Sequence, residues 1–320
     1  MFSGMRYVYA VYQHKSFSKA AQALYISQPA LSASVKKIEK ELGMPLFDRS
    51  KNPIHLTECG EQYIAAARQI MRIEDEFSDY LNDLKNMMGG SLSIGASTFY
   101  AAALLPLILQ TFSAAHPDVK IRLTEGSVQE LETQLYDGEL DFVIEANAFD
   151  EKLYEKVRIY HEHLVLAVPK NYLINTELQQ YQITREDIKV RHHVTGGIEP
   201  VDLRLFQEEP FILLHEGNDI RVRADRILRD AGVKPHILLT LDHQQTAMNL
   251  AMRGMGITFV CDTLLNSLPE EFDDPCCYYK LDNRNIHRDV YFYHRKTKYM
   301  TPAMQAFNDL AGEYFKPMID

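Results

Sequence analysis

Two candidate helix starts lie close together near the N-terminus, and this spacing constrains the fold more than any other feature of the chain. Ser18 precedes a run of small, helix-favouring residues, so its hydroxyl is expected to cap a first short helix. Ser27 is the N-cap candidate of a second helix, with Pro29 in its first turn and Gly43 at its end. Two short helices joined by a tight turn are typical of a helix-turn-helix.

The second helix is expected to have two different faces. Its predicted buried face carries Ala30, Ala33 or Ser34, Ile38 and Leu42 at helical spacing. Its other face carries Gln28, Ser32, Lys36, Lys37 and Lys40. Glutamine can pair with an adenine edge, serine can bond a base or a phosphate, and lysine neutralises phosphate charge. This face suits a DNA major groove, although lysines on an amphipathic helix are commonly only its solvated side.

The segment after Gly43 favours the DNA-binding interpretation. A short apolar run leads into a turn-prone stretch over residues 50–53, and Ile54 and Leu56 then alternate with polar residues. This pattern predicts a two-stranded wing with Arg49 and Lys51 near its tip. A helix-turn-helix followed by a basic wing is more specific than either part. The predicted DNA-contacting residues are Ser18, Ser27, Gln28, Pro29, Ser32, Lys36, Lys37, Arg49 and Lys51.

The charge distribution agrees with this assignment. Up to Thr57, eight cations face three anions, a net charge of +5, which leaves −15 for the rest of a chain whose net charge is −10. A basic N-terminal segment followed by an acidic remainder is expected when only one domain of a protein binds nucleic-acid phosphates. The predicted partner is therefore double-stranded DNA.

The first 60 residues resemble the LysR-type transcriptional regulators. The matching positions are Ser16-Phe17-Ser18, Ala20-Ala21, Leu24, Ser27-Gln28-Pro29-Ala30-Leu31-Ser32, Ile38-Glu39, Glu41-Leu42-Gly43, Pro45-Leu46-Phe47, Arg49, Leu56-Thr57 and Gly60. The resemblance implies a transcription factor with a dimerising linker helix and a periplasmic-binding-protein-like effector domain, commonly assembled as a tetramer. Ala33 stands where the family often has a long polar residue, which shifts that expected DNA contact onto Lys36 and Arg49.

A third, long helix is predicted between Thr57, its N-cap candidate, and the pair Gly89-Gly90. Apolar residues alternate in steps of four and three along it, with Glu74 as the one polar member, and this heptad pattern predicts a coiled-coil seam. The predicted dimerisation residues are Tyr63, Ala67, Ile70, Phe77, Leu81, Leu84 and Met88. A dimer would hold two recognition helices about 34 Å apart and would require an inverted-repeat site. The alternative is a helix that packs along its own subunit.

From Ser91 onward, short apolar strands alternate with amphipathic helices in two cycles, which predicts parallel sheets covered by helices. The overall fold class is therefore α/β, with an N-terminal winged helix-turn-helix (1–60), a linker helix (61–90) and a two-lobed effector domain (91–320). The chain is expected to cross between lobes near 167–170 and 266–269. Lobe I would then comprise about 91–167 plus 269–320, and lobe II about 168–268.

Ligands bind where strands lead into helices in such sheets, because helix N-termini offer free amides. Ser97 and Thr98 follow the first strand and Ser127 follows the second, which favours a small carboxylate or a similar anion. The resemblance implies that these three positions line the effector site. His215, Asn218 and Thr246 are candidates from the opposite lobe. The alternative for each hydroxyl is ordinary N-capping.

Other functions fit the sequence less well. The histidines at 161, 163, 192, 193, 287 and 294 and the pair Cys276-Cys277 lack zinc-site spacing, so scattered surface histidines and no metal or cofactor are expected. An oxidation response of the cysteine pair stays open. Catalytic motifs such as Gly-x-Ser-x-Gly are absent from the sequence, so an enzyme is not expected. The N-terminus lacks an export-signal pattern, which favours a cytoplasmic regulator over an exported solute-binding protein.

Overall fold

The computed structural model describes residues 2–50, 53–84, 90–269 and 274–316. The chain divides into two compact units, with the boundary between residues 88 and 89. The elements of the first unit are α1 (Met5–His14), α2 (Phe17–Ala23), α3 (Gln28–Leu42), β1 (Phe47–Asp48), β2 (His55–Leu56) and α4 (Glu58–Leu84).

Serine side chains set the starts of α2 and α3. The hydroxyl of Ser27 accepts the Ala30 N–H at 3.3 Å, so the predicted cap of α3 is confirmed, and Gly43 ends that helix with a left-handed φ of 72°. The predicted cap of α2 is wrong. Ser16 caps it, because its backbone is extended and its hydroxyl accepts the Lys19 N–H, whereas Ser18 lies inside the helix.

The core of the first unit lies between α1, α2, α3 and the start of α4. On α3 the buried residues are Leu31, Val35 and Ile38, so the predicted face through Ala30 and Ala33, which are exposed, was rotated by about one residue. The larger apolar side chains bury more surface than alanine, and they set the orientation of the helix. Helices α2 and α3 approach closely where Ala20 and Ala21 are buried, and α1, which was not predicted, completes the core with Val8 and Val11.

The predicted wing is confirmed. Strands β1 and β2 pair in an antiparallel hairpin, with Phe47 opposite Leu56 and Asp48 opposite His55. Phe47 packs edge-on against Phe17 of α2, with 5.7 Å between ring centroids. Thr57 caps α4, as predicted, by accepting the Gly60 N–H at 3.0 Å.

The second unit contains most of the secondary structure. Its elements are β3 (Ser91–Ala96), α5 (Thr98–Ala103), α6 (Leu105–Ala115), β4 (Lys120–Glu125), α7 (Val128–Asp137), β5 (Phe142–Glu145), β6 (Tyr154–Pro169), α8 (Ile174–Glu177), β7 (Gln182–Ile183), α9 (Arg185–Lys189), α10 (His192–Thr195), β8 (Pro210–Leu214), α11 (Asp219–Asp230), β9 (His236–Leu241), α12 (Gln244–Ala251), β10 (Thr258–Cys261), α13 (Asp262–Asn266), β11 (Cys276–Tyr279), β12 (His287–Arg295) and α14 (Pro302–Phe315).

Strand pairing separates this unit into two lobes that share β6. In lobe I the strand order is β4-β3-β5-β12-β6, and β6 pairs with β12 through residues 154–163. In lobe II, residues 164–169 of the same strand pair with β10 on one side and β11 on the other. Strand β8 pairs with β9 and bridges to Ile257 beside β10. The two lobes therefore belong to one fold built around a common strand.

The pairing corrects two sequence predictions. The first crossing between lobes lies at residues 163–164, and the second lies between β11 and β12, whereas residues 266–269 stay in lobe II. The sheets are also mixed. Strands β3, β4 and β5 run parallel, as do β8 and β9, but β10, β11 and β12 pair antiparallel to β6. The long strand β6 was not predicted, because its first half carries charged residues.

Each lobe has its own hydrophobic core. In lobe I, Phe142 and Phe292 stack at 4.4 Å and pack with Phe307 of α14. In lobe II, buried residues of β6, β8 and β10 face α11 and α12, and Phe211 stacks on Phe259. Phe99 of α5 contacts the cores of both lobes and therefore marks the junction between them.

Candidate nucleic-acid interface and effector cleft

Helix α3 presents a polar surface to solvent along most of its length. Gln28, Pro29, Lys36 and Lys37 are exposed, and Ser32 is half-buried. Ser27 lies at the start of this surface with its hydroxyl already bonded to the helix it caps. The structure thus brings five of the predicted DNA-contacting side chains onto one helix, opposite its buried face. Ser18 is exposed on α2, and Lys51 lies outside the described residues.

Arg49 at the wing forms an ion pair with Glu39, a residue for which no role was predicted from the sequence. Glu39 accepts hydrogen bonds from the Leu46 N–H at 2.9 Å, from the Phe47 N–H at 3.4 Å and from the Arg49 guanidinium at 2.8 Å. The Arg49 guanidinium also lies 4.8 Å from the centre of the Phe17 ring. One carboxylate therefore fixes the wing to α3 and orients its arginine.

Tyr25 lies in the turn between α2 and α3 with a left-handed φ of 55° and a side chain that is 96% exposed. Left-handed backbone is unusual for a tyrosine, and an aromatic ring this exposed contributes nothing to the core. The turn conformation places the ring on the outer surface beside the start of α3. The sequence pattern contained no signal for this residue beyond the interruption of the helical periodicity.

The predicted dimerisation residues on α4 divide into two groups. Tyr63 and Ala67 are buried in the core of their own unit, so their assignment to a dimer seam was wrong, because the first three turns of α4 complete the winged domain. Ile70 is half-buried against the same core. Phe77 and Leu81 are exposed, as predicted. The side chain of Leu84 and all of Met88 lie outside the described residues.

Two exposed residues extend this second group. Ile73 is 60% and Tyr80 42% exposed, beside Phe77 at 59% and Leu81 at 36%. The spacing 73, 77, 80 and 81 places these side chains along one stripe of the helix. We call this set the linker stripe. A contiguous exposed apolar surface on a helix is typical of a protein interaction site.

The predicted effector residues of lobe I lie at one edge of the sheet. Ser97 follows β3 and Ser127 follows β4, and these strands pair in parallel up to Ala96 and Glu125. Ser97 caps α5 by accepting the Tyr100 N–H, and Ser127 forms a capping box with Glu130. Both hydroxyls therefore have the capping role that was the alternative. Thr98, at the first position of α5, is exposed.

The candidates of lobe II lie at the carboxyl edge of β8 and β9. Asn218 caps α11 by accepting the Ile220 N–H at 2.9 Å, and its amide lies 3.5 Å from the backbone oxygen of Asp242. His215 follows β8, and its Nε2 lies 3.9 Å from the Asp242 carboxylate. Thr246 is exposed on α12.

A group of charged residues joins the two lobes, and none of its members was predicted. Arg288 of β12 donates to buried Glu162 at 2.8 Å, to Asp219 of α11 at 2.5 Å and to the Tyr100 hydroxyl of α5 at 2.9 Å. Arg223 of α11 lies beside them. Its Nη1 is buried without a hydrogen bond among the described residues, 3.7 Å from Glu162 and 3.8 Å from Asp219. We call these five residues the interlobe cluster.

The electrostatics of the interlobe cluster keep Arg288 charged. Burial alone would lower the pKa of Arg288, but Glu162, Tyr100, Cys261 and Asp219 together raise it well above its usual value. Burial and the neighbouring Glu162 carboxylate raise the pKa of the Tyr100 hydroxyl, so Tyr100 stays neutral. Glu162 is fully buried and also accepts hydrogen bonds from Thr263 and Cys261. Asp219, with 46% of its side chain exposed, is the solvent-accessible carboxylate of the cluster.

The prediction of scattered surface histidines is wrong for most of the six positions. His161, His163, His193 and His287 gather beside the middle of β6, with 4.7 Å between the ring centroids of His161 and His163 and 5.7 Å between those of His163 and His193. His163 and His193 are buried, and so is His294 in lobe I. The spacing rules for a single motif missed the group because its members come from separate elements.

The cysteines do not favour an oxidation response. All four carry free thiols. Burial, with a smaller contribution from Asp274, raises the pKa of Cys276 to about 12, and burial also raises the pKa of Cys277. A thiol with a raised pKa forms little of the reactive thiolate.

Both units match known protein families. Residues 2–61 match the family described as bacterial regulatory helix-turn-helix protein, lysR family, and residues 85–316 match the LysR substrate binding domain. The chain belongs to the LysR family of transcriptional regulators. It is 30% identical over 319 residues to the uncharacterized HTH-type transcriptional regulator YcgK of Bacillus subtilis, covering 99% of this chain and 95% of YcgK. It is also 30% identical over 259 residues to the regulator CfxR of Cupriavidus necator, covering 78% of this chain and 72% of CfxR.

Solved structures of LysR regulators have the same fold. A full-length OxyR variant from Pseudomonas aeruginosa gives a TM-score of 0.69 at 22% identity, covering 97% of this chain and 93% of that one. Full-length CbnR in complex with its target DNA gives a TM-score of 0.61 at 20% identity, covering 98% and 99% of the two chains. The LysR-type chain is thus a DNA-binding transcriptional regulator with an effector-binding domain, and not an enzyme. Among its described helices, none combines the length and the apolar composition that a bilayer span requires.

Proposed function

We propose that this LysR-type regulator acts in the cytoplasm as a dimer or tetramer, binds an inverted-repeat operator through α3 and the wing, and responds to a small anionic metabolite bound between its lobes. The exposed polar face of α3 is the observation that carries the DNA-binding part. Gln28 and Ser32 are the proposed base-contacting residues, and Lys36, Lys37, Arg49 and Lys51 are the proposed phosphate contacts.

The linker stripe supports self-association. Its apolar side chains lie on the part of α4 beyond the core of the winged unit, where the described residues leave them exposed. Residues repeating at steps of four and three match the seam of a helix pair, so the proposed occupant is the same helix of a second copy. A twofold pair of such helices would present two copies of α3 to one duplex.

The interlobe cluster supports an anionic effector. Arg288 stays charged and binds two carboxylates, of which Glu162 is fully buried and Asp219 is accessible to solvent. A carboxylate of a metabolite can take the position of Asp219 on Arg288, and the unbonded Nη1 of Arg223 offers it a second donor. The proposed effector-binding feature is therefore the pair Arg288 and Arg223, with Asp219 as the carboxylate that the effector displaces. It adds to the predicted effector residues Thr98 and Asn218.

The position of the cluster links binding to conformation. Tyr100 belongs to lobe I, Asp219 and Arg223 belong to lobe II, and Arg288 follows the crossing between lobes. A ligand that displaces Asp219 would change what holds the lobes together. The ligand can alter DNA binding only to the extent that it binds one arrangement of lobes or subunits more tightly than another.

The DNA-binding part is tested by mobility shift with the regulator's own upstream region. We expect a shift at low salt whose apparent affinity falls steeply as salt rises, and a tighter complex than on a random duplex of the same length. Equal affinity for both duplexes at every salt concentration would contradict a sequence-specific regulator.

The effector part is tested with Asp219→Asn, by thermal shift and calorimetry against a panel of small mono- and dicarboxylates. A half-exposed ion pair is worth about 0.5–1 kcal/mol, so removing the competing carboxylate should tighten ligand binding roughly 2- to 5-fold. Arg226→Gln, an exposed cation on the same helix, is the matched control and should leave the affinity unchanged. Unchanged or weaker ligand binding by the Asp219→Asn protein would refute the proposal that the ligand displaces the Asp219 carboxylate from Arg288.

A further inference from the structure

Three side chains from three different elements converge on a small volume beside the middle of β6, where the strand passes from one lobe to the other. His163 comes from β6, His193 from α10 and Asp262 from the first position of α13, and all three are buried. Their ligand atoms all lie within 4.8 Å of one another. Buried polar groups usually have fixed partners, so this arrangement calls for a chemical explanation.

The distances match those of a tetrahedral metal site. His193 Nε2 lies 3.2 Å and His163 Nδ1 3.5 Å from the same oxygen, Asp262 Oδ2. Two ligands that each lie about 2.0–2.1 Å from a tetrahedral zinc ion are roughly 3.3–3.4 Å apart. Both imidazole nitrogens are therefore spaced as ligands relative to Asp262 Oδ2, and they lie within 4.8 Å of each other.

The carboxylate is oriented as metal-binding carboxylates are. Asp262 Oδ1 accepts the backbone N–H groups of His163 at 3.0 Å and Thr263 at 2.8 Å, which leaves Oδ2 to face the two imidazoles. Hydrogen bonds to the non-ligating oxygen fix such a ligand in place.

His193 is oriented in the same way. Its Nδ1 lies 3.4 Å from the backbone oxygen of Asp187, which can accept a hydrogen bond from the ring. With the proton on Nδ1, the Nε2 lone pair faces the Asp262 oxygen at 3.2 Å, which is the arrangement that a metal ion between them requires. With the proton on Nε2, the same contact is a hydrogen bond to the carboxylate.

His163 adds a second ring nitrogen to the same space. Its Nδ1 lies 3.1 Å from the backbone oxygen of His161 as well as 3.5 Å from Asp262 Oδ2. A bound metal ion would lie among these groups, with Nδ1 of His163 as its second imidazole ligand.

We propose that His163, His193 and Asp262 bind one divalent transition-metal ion, with Zn²⁺ the best match. Two imidazoles and one carboxylate suit Zn²⁺, Co²⁺ or Ni²⁺, whereas Ca²⁺ and Mg²⁺ require oxygen ligands. Three protein ligands leave a fourth position for water, as in zinc sites that are not closed by protein. The rings of His161 and His287 lie near the ring of His163, with centroids 4.7 and 6.1 Å from its centroid.

The experiment uses the full-length protein after treatment with a chelator, titrated with Zn²⁺ in a calorimeter and with Co²⁺ in a spectrophotometer. We expect one ion per chain and visible Co²⁺ bands typical of a tetrahedral nitrogen and oxygen site. His193→Gln and Asp262→Asn should each weaken binding at least about 100-fold, since loss of an outer-shell partner alone costs 10- to 100-fold. His192→Gln, at the adjacent exposed position, is the matched control and should bind as the unaltered chain does.

Three results would overturn the proposal. One is no stoichiometric binding by the unaltered chain, which would leave the site as a buried carboxylate in contact with two histidines. Another is equal binding by His193→Gln and the unaltered chain. The third is a strong Co²⁺–thiolate absorption in the ultraviolet, which would place the ion on a cysteine. The first and third of these use the unaltered chain, so they hold even if a variant folds poorly.

Discussion

Replacing Phe77 by alanine is expected to dissociate the self-associated form of the regulator while leaving each protomer folded. The side chain is 59% exposed and has no role in the core of the winged unit. A fully buried aromatic residue removes about 150–250 Å² from water, so covering the exposed part of Phe77 removes roughly 90–150 Å². At about 25 cal/mol per Å², this is worth about 2–4 kcal/mol per copy.

A twofold interface contains the residue twice, so the expected loss is about 4–8 kcal/mol, or at least a roughly 10³-fold weaker dimer. Sedimentation velocity over a concentration series measures this change directly. Ser78→Ala is the matched control, because Ser78 is the exposed neighbour of Phe77 and its hydroxyl bonds only the backbone of its own helix in the described chain. A Phe77→Ala protein that sediments as the unaltered chain does would refute the assignment of the linker stripe.

Three further outcomes are expected. Ser16→Ala should lower the free energy of unfolding by about 1 kcal/mol in chemical denaturation, because Ser16 caps α2. Ser18→Ala should change that free energy by less than half as much. Equal changes in the two variants would contradict Ser16 as the N-cap. Lys36→Ala should weaken binding to all duplexes and reduce the salt slope by about 1, whereas Gln28→Ala should change which bases are preferred in a selection experiment; an equal loss on every duplex would exclude Gln28 from base contacts. Gly60→Ala should destabilise the first unit, because its new methyl group would collide with the backbone oxygen of Leu46, and an unchanged thermal melt would disprove that contact.

The elements that were predicted well from the sequence are those whose limits depend on residues close together in the chain. Ser27 and Gly43 bound α3 because capping depends on residues within one turn. Strands β3 and β5 are short apolar runs bounded by turns; they were predicted at residues 92–95 and 141–145, and the structure has them at Ser91–Ala96 and Phe142–Glu145. The sequence pattern does not separate Ser16 from Ser18, because both precede helix-favouring residues. Backbone geometry decides between them, since only Ser16 is extended.

The charged residues between the lobes could not be predicted because their partners are distant in sequence. Arg288 and Glu162 are 126 residues apart, and His163 and Asp262 come together only when β6 and β10 pair. No local pattern distinguishes such residues from solvated charges. The buried face of α3 was predicted wrongly for a different reason. Alanine fits either face of a helix, so the small residues at 30 and 33 carried little information about which face is buried.

Strand β6 has a consequence for how the effector domain can move. Because one uninterrupted strand serves both lobes, and the chain returns only through the segment before β12, the lobes are joined by two backbone segments that lie side by side. Paired segments of this kind resist sliding but allow twisting about their common axis. We therefore expect the domain to open and close by rotation about β6, which would enlarge a ligand-induced change near that axis at the far ends of both lobes.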